Sequence, residues 1–146
     1  MTLRVRRVRQ DEIEWVNKKY DEVGFPHSSF SDEFIAIAEL DNEKAGIGRL
    51  IPIDDKNAEM GGMYVFENYR NKGIASKIIE FLLQNSNKFE RIYCLPFENL
   101  EEYYGKFGFK ITPVEDYKNV PKKILEKLEW CNRSFDKKVL LLCLKP

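Results

Sequence analysis

The sequence is short of the residues from which many enzyme sites are built. It has one histidine, His27, and three widely spaced cysteines, Cys94, Cys131 and Cys143, with no Cys-x-x-Cys pair among them. Transition-metal centres draw on clustered His and Cys ligands, so this composition argues against a catalytic metal. Three thiols in apolar surroundings point to reduced, buried cysteines of a cytoplasmic protein rather than to a disulfide framework. Neither G-x-x-x-x-G-K-[ST] nor G-x-G-x-x-G occurs, which removes the usual support for ATP or dinucleotide binding. No apolar run reaches the length of a membrane span, and the residues after Met1 are basic and alternating, unlike a signal-peptide core. Charge of one sign is missing too. The 24 basic and 24 acidic side chains leave a formal net charge of zero, so broad electrostatic capture of nucleic acid is not expected.

What is present describes one globular domain over residues 1–146. The chain is 43% hydrophobic and 33% charged, with no internal repeat, low-complexity segment or linker, and it is long enough for one sizeable core. Residues 2–9 alternate β-branched residues with Arg and predict an opening strand with one wet face. A helix follows from Gln10, with Ile13, Val16 and Tyr20 on one face and Trp15 widening it. Gly24 to Phe30 reads as a loop carrying His27, a surface or packing residue in the ordinary case and a proton acceptor in the rarer one. Residues 33–40 and 44–53 form a hairpin across the polar turn at 41–44. Gly46 and Gly48 suggest a bulge or a close backbone approach. Residues 58–66 make the next strand, and Gly61-Gly62 in its middle suggests a bulge beside a ligand.

A helix over 72–84 packs inward through Ile74, Ile78, Phe81 and Leu82. Residues 89–95 form a strand, and the strand-helix-strand order predicts parallel pairing with 58–66 through a right-handed crossover. A short helix over 98–106 precedes a strand over 107–112. Residues 113–121 are irregular, and 122–132 form an amphipathic helix with Ile124, Leu125 and Leu128 inward. A closing apolar strand over 138–145 is buried on both faces.

The chain is organised around Met63 to Ser76, where an apolar strand turns through polar residues into a helix. Such a corner gathers unpaired backbone N–H groups at the positive end of a helix dipole, a setting suited to phosphate. Gly73 lets backbone approach a ligand closely, and Ala75 is small enough to do nearly the same. Arg70 and Lys72 add full charges. As chemistry the corner is a candidate pyrophosphate cradle; an ordinary strand-to-helix connection has the same outline.

The stretch resembles motif A of the GNAT superfamily of acyl-CoA N-acyltransferases. Met63, Val65, Arg70, Gly73 and Ala75 fall in step with it, while Glu67 stands where Pro is usual and Asn71 where Gly is common. Further on, Tyr103, Tyr104, Lys106, Gly108 and Phe109 resemble motif B, at the distance the family places it. The resemblance covers nearly the whole chain. It implies an α/β (α+β) fold: a mixed, mostly antiparallel sheet of about seven strands flanked by helices, with splayed fourth and fifth strands.

The resemblance further implies an acetyl-CoA co-substrate, no metal, and transfer to a primary amine by direct attack. Met63, Val65, Arg70, Asn71, Lys72, Gly73, Ile74, Ala75 and Ser76 would hold CoA, with Asn99 touching the pantetheine arm. Asn99 lies closer to Tyr104 than many relatives place the corresponding Asn. Tyr104 would be the general acid, since a phenol of pKa about 10 can donate to a thiolate whose thiol lies near about 8.5. A backbone N–H at Val65 or Met63 would stabilise the oxyanion. Glu59 would be the base, either directly or through a held water; the other reading of Glu59 is a solvent-facing strand carboxylate. Cys94 reads as an inert buried thiol rather than an acyl carrier.

Two rival readings stand beside this one. One is a non-catalytic acyl-CoA-binding or sensor module of the same fold, and the other is an α+β scaffold that binds no CoA. The acceptor would be a small-molecule or peptide amine, shaped by residues 20–32 and 113–135, where Glu22, Asp32, Glu33 and Asp116 would favour a cation. No nucleic-acid or membrane partner is expected. The closing strand and the 121–132 helix are candidate elements of a homodimer.

Overall fold

Alternation at the N-terminus produces the expected edge strand. A computed structural model of the chain describes residues 2–146. Leu3–Arg7 (β1) pairs antiparallel with Phe34–Leu40 (β2), from Leu3↔Leu40 to Arg7↔Ala36. Between them a 3-10 turn, Gln10–Glu12, leads into Ile13–Val23 (α1), which ends where Gly24 turns left-handed at φ 72°. Glu12 fixes this entry. Its buried carboxylate accepts the Arg9 N–H at 2.8 Å and two Arg6 guanidinium bonds at 2.8 and 2.7 Å.

The hairpin forms between β2 and Glu43–Pro52 (β3). Its turn is the two residues Asp41 and Asn42, both left-handed at φ 52° and 72°. Short Asp and Asn tolerate that region, and such a turn matches the twist of the flanking strands. The register shifts between Ala38 and Glu39, which pair with Gly46 and Lys44 and leave Ala45 as the extra residue of a bulge. Gly48 answers a close approach. A Cβ there would lie 2.5 Å from Ile78 Cγ2 and 2.7 Å from Met63 Sδ.

Asn57–Val65 (β4), Ile74–Gln84 (α2) and Arg91–Cys94 (β5) make the predicted strand-helix-strand unit. β4 and β5 are parallel through Asn57↔Arg91, Ala58↔Ile92 and Glu59↔Tyr93. The pairing stops at Tyr93, one residue before β5 ends, while β4 continues to Val65. After the turn Glu98–Leu100 come Glu101–Gly105 (α3), Lys110–Ile111 (β6), Lys122–Ser134 (α4) and Leu142–Leu144 (β7). The sheet order is β1-β2-β3-β4-β5-β7-β6, a mixed, mostly antiparallel seven-stranded sheet flanked by helices.

The closing strand is shorter than its apolar run. Val139 to Leu142 are buried, but regular pairing covers only β7. The preceding residues bond to a loop, with Leu140 N–H on Pro96 C=O at 2.8 Å and a single bridge between Val139 and Phe97. Burial without ladder pairing is invisible to hydropathy alone.

Contacts group the chain into two units, Met1–Ile51 with Met60–Ser86, and Pro52–Glu59 with Asn87–Pro146. The first is built on Val8, Val16, Tyr20, Ile35, Ile37 and Ile47. The second is built on Tyr93, Val120, Ile124 and Leu141. No helix among the described residues is long and apolar enough to cross a membrane.

Candidate functional site

In the first unit, β4 bends at the predicted glycine pair. Gly62 is left-handed at φ 60°, and its carbonyl accepts the Tyr20 hydroxyl at 2.8 Å. A Cβ at Gly62 would lie 2.6 Å from both Tyr20 Oη and Arg49 Nε. The glycine therefore serves two requirements at once, a backbone angle and a close approach by protein side chains. The residues that follow, Met63 to Phe66, are half-buried.

The corner after β4 contains a 3-10 turn, Glu67–Tyr69, and then Arg70, whose Nε donates to the Val65 carbonyl at 3.1 Å. Asn71 is left-handed at φ 64° and Gly73 at φ 75°, with Gly73 as N-cap of α2. Arg70, Asn71, Lys72 and Gly73 are exposed. The first helical hydrogen bond joins Lys77 N–H to Gly73 C=O at 3.3 Å, so the N–H groups of Ile74 and Ala75 precede the ladder. No atom lies within 4 Å of the place a Cβ would take on Gly73. An open backbone at the positive end of an eleven-residue helix suits an anionic group such as a pyrophosphate.

In the second unit, Glu59 is buried, and Lys127 of α4 donates to its carboxylate. The solvent-facing alternative for Glu59 is therefore corrected: the side chain points inward and carries an ion-pair partner, as a buried charge must. Cys94 is its neighbour. Burial pushes the Cys94 thiol up, and the charge on Glu59 pushes it further. Cys131 is raised by burial and by Glu59, against an opposing effect from Lys127. Both are free, buried, protonated thiols, as expected, while Cys143 is free and only half-buried.

Tyr104 sits on α3 in an aromatic cluster. Its ring makes edge contacts with Tyr103 at 5.3 Å and with Phe109 at 6.0 Å. Burial raises its phenol well above the ordinary value, and Cys94 and Tyr103 add to the rise. Cys94 is raised by Glu59 and in turn raises Tyr104. Asn99 is exposed in the turn before α3. Gly108 is left-handed at φ 102°, and a Cβ there would lie 2.8 Å from Leu144.

Three participants were not singled out for these roles from the sequence. Arg49 is buried, with its guanidinium 4.4 Å from the centre of the Tyr20 ring. It donates to Pro26 C=O at 3.1 Å and to the Ser28 hydroxyl, and it lies 3.7 Å from Glu33. Strand alternation carries the signal, because Arg49 shares a face with Ile47 and Ile51. Lys127 lies three residues after Ile124 and four before Cys131, both buried on α4. Tyr20, read only as a core residue, is the hydroxyl that holds the Gly62 carbonyl.

The family model for the acetyltransferase (GNAT) domain matches residues 31–111. Among solved structures, N-acetylglutamate synthase from Neisseria gonorrhoeae, complexed with coenzyme A and N-acetyl-glutamate, is 14% identical with a TM-score of 0.71. That match covers 99% of this chain but 35% of the synthase chain. A GNAT family acetyltransferase from Elizabethkingia anophelis with acetyl-CoA bound is 18% identical, with a TM-score of 0.66 and coverage of 99% and 98%. An Arabidopsis thaliana protein in complex with the bisubstrate analogue CoA-Ac-MVNAL is 18% identical, with a TM-score of 0.67 and full coverage of both chains. No curated protein matches the chain. At these identities the structures speak for the fold. The family model takes in both motif regions and more than half of the chain, and on that ground the protein belongs to the GNAT acetyltransferase family.

Proposed function

We propose that the protein moves an acetyl group from acetyl-CoA to a primary amine by direct attack. The observation that carries this reading is the open corner at Gly73. Two left-handed residues and the N-terminus of α2 follow β4 there, with open space beside Gly73. In this reading the backbone N–H groups of residues 70–76 hold the pyrophosphate, aided by the side chains of Arg70, Lys72 and Ser76. Met63 and Val65 line the thioester end, and Asn99 contacts the pantetheine arm.

The amine nitrogen attacks the thioester carbonyl carbon, and a backbone N–H of Met63 or Val65 stabilises the oxyanion. The carbon–sulfur bond then breaks, and Tyr104 supplies the proton that the departing thiolate takes. The proton lost by the amine passes to Glu59, directly or through water, and solvent reprotonates the phenol. A burial-raised phenol stays protonated at working pH and so is always present as a donor. Holding the reactants together contributes the largest share of the acceleration, as proximity does in bimolecular transfers.

The acceptor class is a small-molecule or peptide amine, and the setting is cytoplasmic. N-acetyl-glutamate and CoA-Ac-MVNAL, bound by the structural relatives, span that class. One observation favours the rival reading of a non-catalytic acyl-CoA sensor: the proposed base is already held by Lys127. The two are separated by incubating the protein with acetyl-CoA and a panel of amines, following thiol release and the mass of the acetylated product. Calorimetric binding of acetyl-CoA without thiol release on any amine would select the sensor.

A further inference from the structure

We infer that Tyr20 and Arg49 are positioning residues of the transfer, holding β4 at its left-handed Gly62 so that the Met63 N–H is aimed at the thioester carbonyl. The inference rests on the reading of acetyl-CoA as donor. Its starting point is the peptide between Gly62 and Met63. In a planar trans peptide the C=O and N–H point in opposite directions. The Tyr20 hydroxyl holds the Gly62 C=O at 2.8 Å, on the α1 side of the strand. The Met63 N–H is therefore directed away from α1.

Ordinary extended backbone would not present the peptide in this way. Gly62 at φ 60° rotates it, and only the absence of a Cβ lets Tyr20 Oη and Arg49 Nε approach so closely. Tyr20 is in turn held from below. It is wholly buried, and the Arg49 guanidinium lies 4.4 Å from its ring centre. Arg49 is locked by Pro26 C=O, the Ser28 hydroxyl and Glu33, while Asn17 fixes Ser28 through two further backbone bonds at 2.7 and 3.2 Å. The Arg49 Nε–H is buried without a hydrogen-bond partner, beside Gly62. The cationic side of the Arg49–Glu33 pair thus stands behind the peptide expected to face a developing oxyanion, in surroundings of low dielectric. Burial keeps the Tyr20 phenol protonated and able to donate.

The test needs no knowledge of the amine. Acetyl-CoA carrying 13C at the thioester carbonyl is bound to the wild-type protein, and the carbonyl stretch is read by isotope-edited infrared difference spectroscopy. A hydrogen bond from Met63 lowers that frequency relative to free acetyl-CoA. In Tyr20→Phe the ring and its packing remain while the Gly62 carbonyl loses its anchor. The band should return most of the way to the free position, with acetyl-CoA affinity changed by less than about threefold. Once an amine substrate is found, kcat should fall on the order of tenfold with little change in KM for acetyl-CoA.

A merely structural Tyr20 would lower Tm and leave the band where it was. Should Tyr20→Phe fail to fold, Arg49→Lys keeps the charge but shortens its reach and should shift the band part of the way back. An unshifted band in the wild-type complex, or the wild-type band in folded Tyr20→Phe, overturns the inference. Absence of acetyl-CoA binding to the wild type instead overturns the donor reading on which it rests.

Discussion

Lys127 of α4 donates to the carboxylate of Glu59 on β4, joining residues 68 positions apart in the chain. Glu59 is buried while the Lys127 side chain is 44% exposed, so the lysine lends charge from the surface to an inward acid. Removing only the cation leaves a buried carboxylate unpaired. Lys127→Met should destabilise the protein by about 1–3 kcal/mol, and adding Glu59→Gln should restore much of it. Urea unfolding of the two variants checks this. Equal stability in the single and double variants would mean that the unpaired carboxylate carries no penalty.

Tyr104→Phe removes the proposed proton donor and keeps the ring among Tyr103 and Phe109. Turnover should drop on the order of 10²-fold, in kcat more than in KM, with Tm and acetyl-CoA affinity nearly unchanged. Because burial raises the phenol, the wild-type rate should show no loss attributable to this group as pH rises through about 10. Full activity of folded Tyr104→Phe at saturating amine would take Tyr104 out of the reaction.

Gly73 is left-handed with open space where a side chain would begin. Gly73→Val should weaken CoA binding both by filling that space and by straining the corner. Gly73→Asn separates the two effects, since Asn tolerates the angle but still puts atoms over the helix N-terminus. Both should raise the CoA dissociation constant by calorimetry, with Asn costing little stability. Normal binding by Gly73→Asn would place the pyrophosphate elsewhere.

Glu12 gives the fold an acid-sensitive joint. The Arg6 guanidinium holds its carboxyl down at about 2 from the ordinary 4.5, with help from the Arg9 N–H and against the cost of burial. The folded value lies below the unfolded one, so the unfolded chain takes up the proton first. The associated stability, roughly 3 kcal/mol in full, is present above pH 4.5 and is lost as pH falls toward 2. Thermal melts should show Tm dropping across that window. Glu12→Gln should be less stable at neutral pH and should flatten the acid limb.

Local and periodic features were legible before the structure. The hairpin between β2 and β3, the α2 face of Ile74, Ile78 and Leu82, and the parallel β4–β5 pair all follow from residue type and spacing, although the turn is the two residues Asp41 and Asn42 rather than 41–44. The Gly61-Gly62 bend was legible too, but its cause was not. The expected neighbour was a ligand, whereas Tyr20 and Arg49 approach from distant positions. The solvent-facing alternative for Glu59 failed for the same reason, because its partner lies on a helix 68 residues away. The run at 138–145 showed its burial in hydropathy, while pairing depends on which loop lies alongside it. Side chains that meet across long sequence separations leave no local trace.

Gly46 and Gly48 leave bare backbone beneath α2. A Cβ at Gly46 would stand 3.2 Å from Ile78 Cδ1, and one at Gly48 2.5 Å from Ile78 Cγ2. The helix is seated against β3 like a key in a slot, unable to slide without lifting Ile78 and Leu82 from their floor. An anion gripped at its first turn would therefore pull on the strand as well as on the helix. Amide exchange should slow across β3 when CoA binds, making the middle of the sheet a reporter of its own occupied corner.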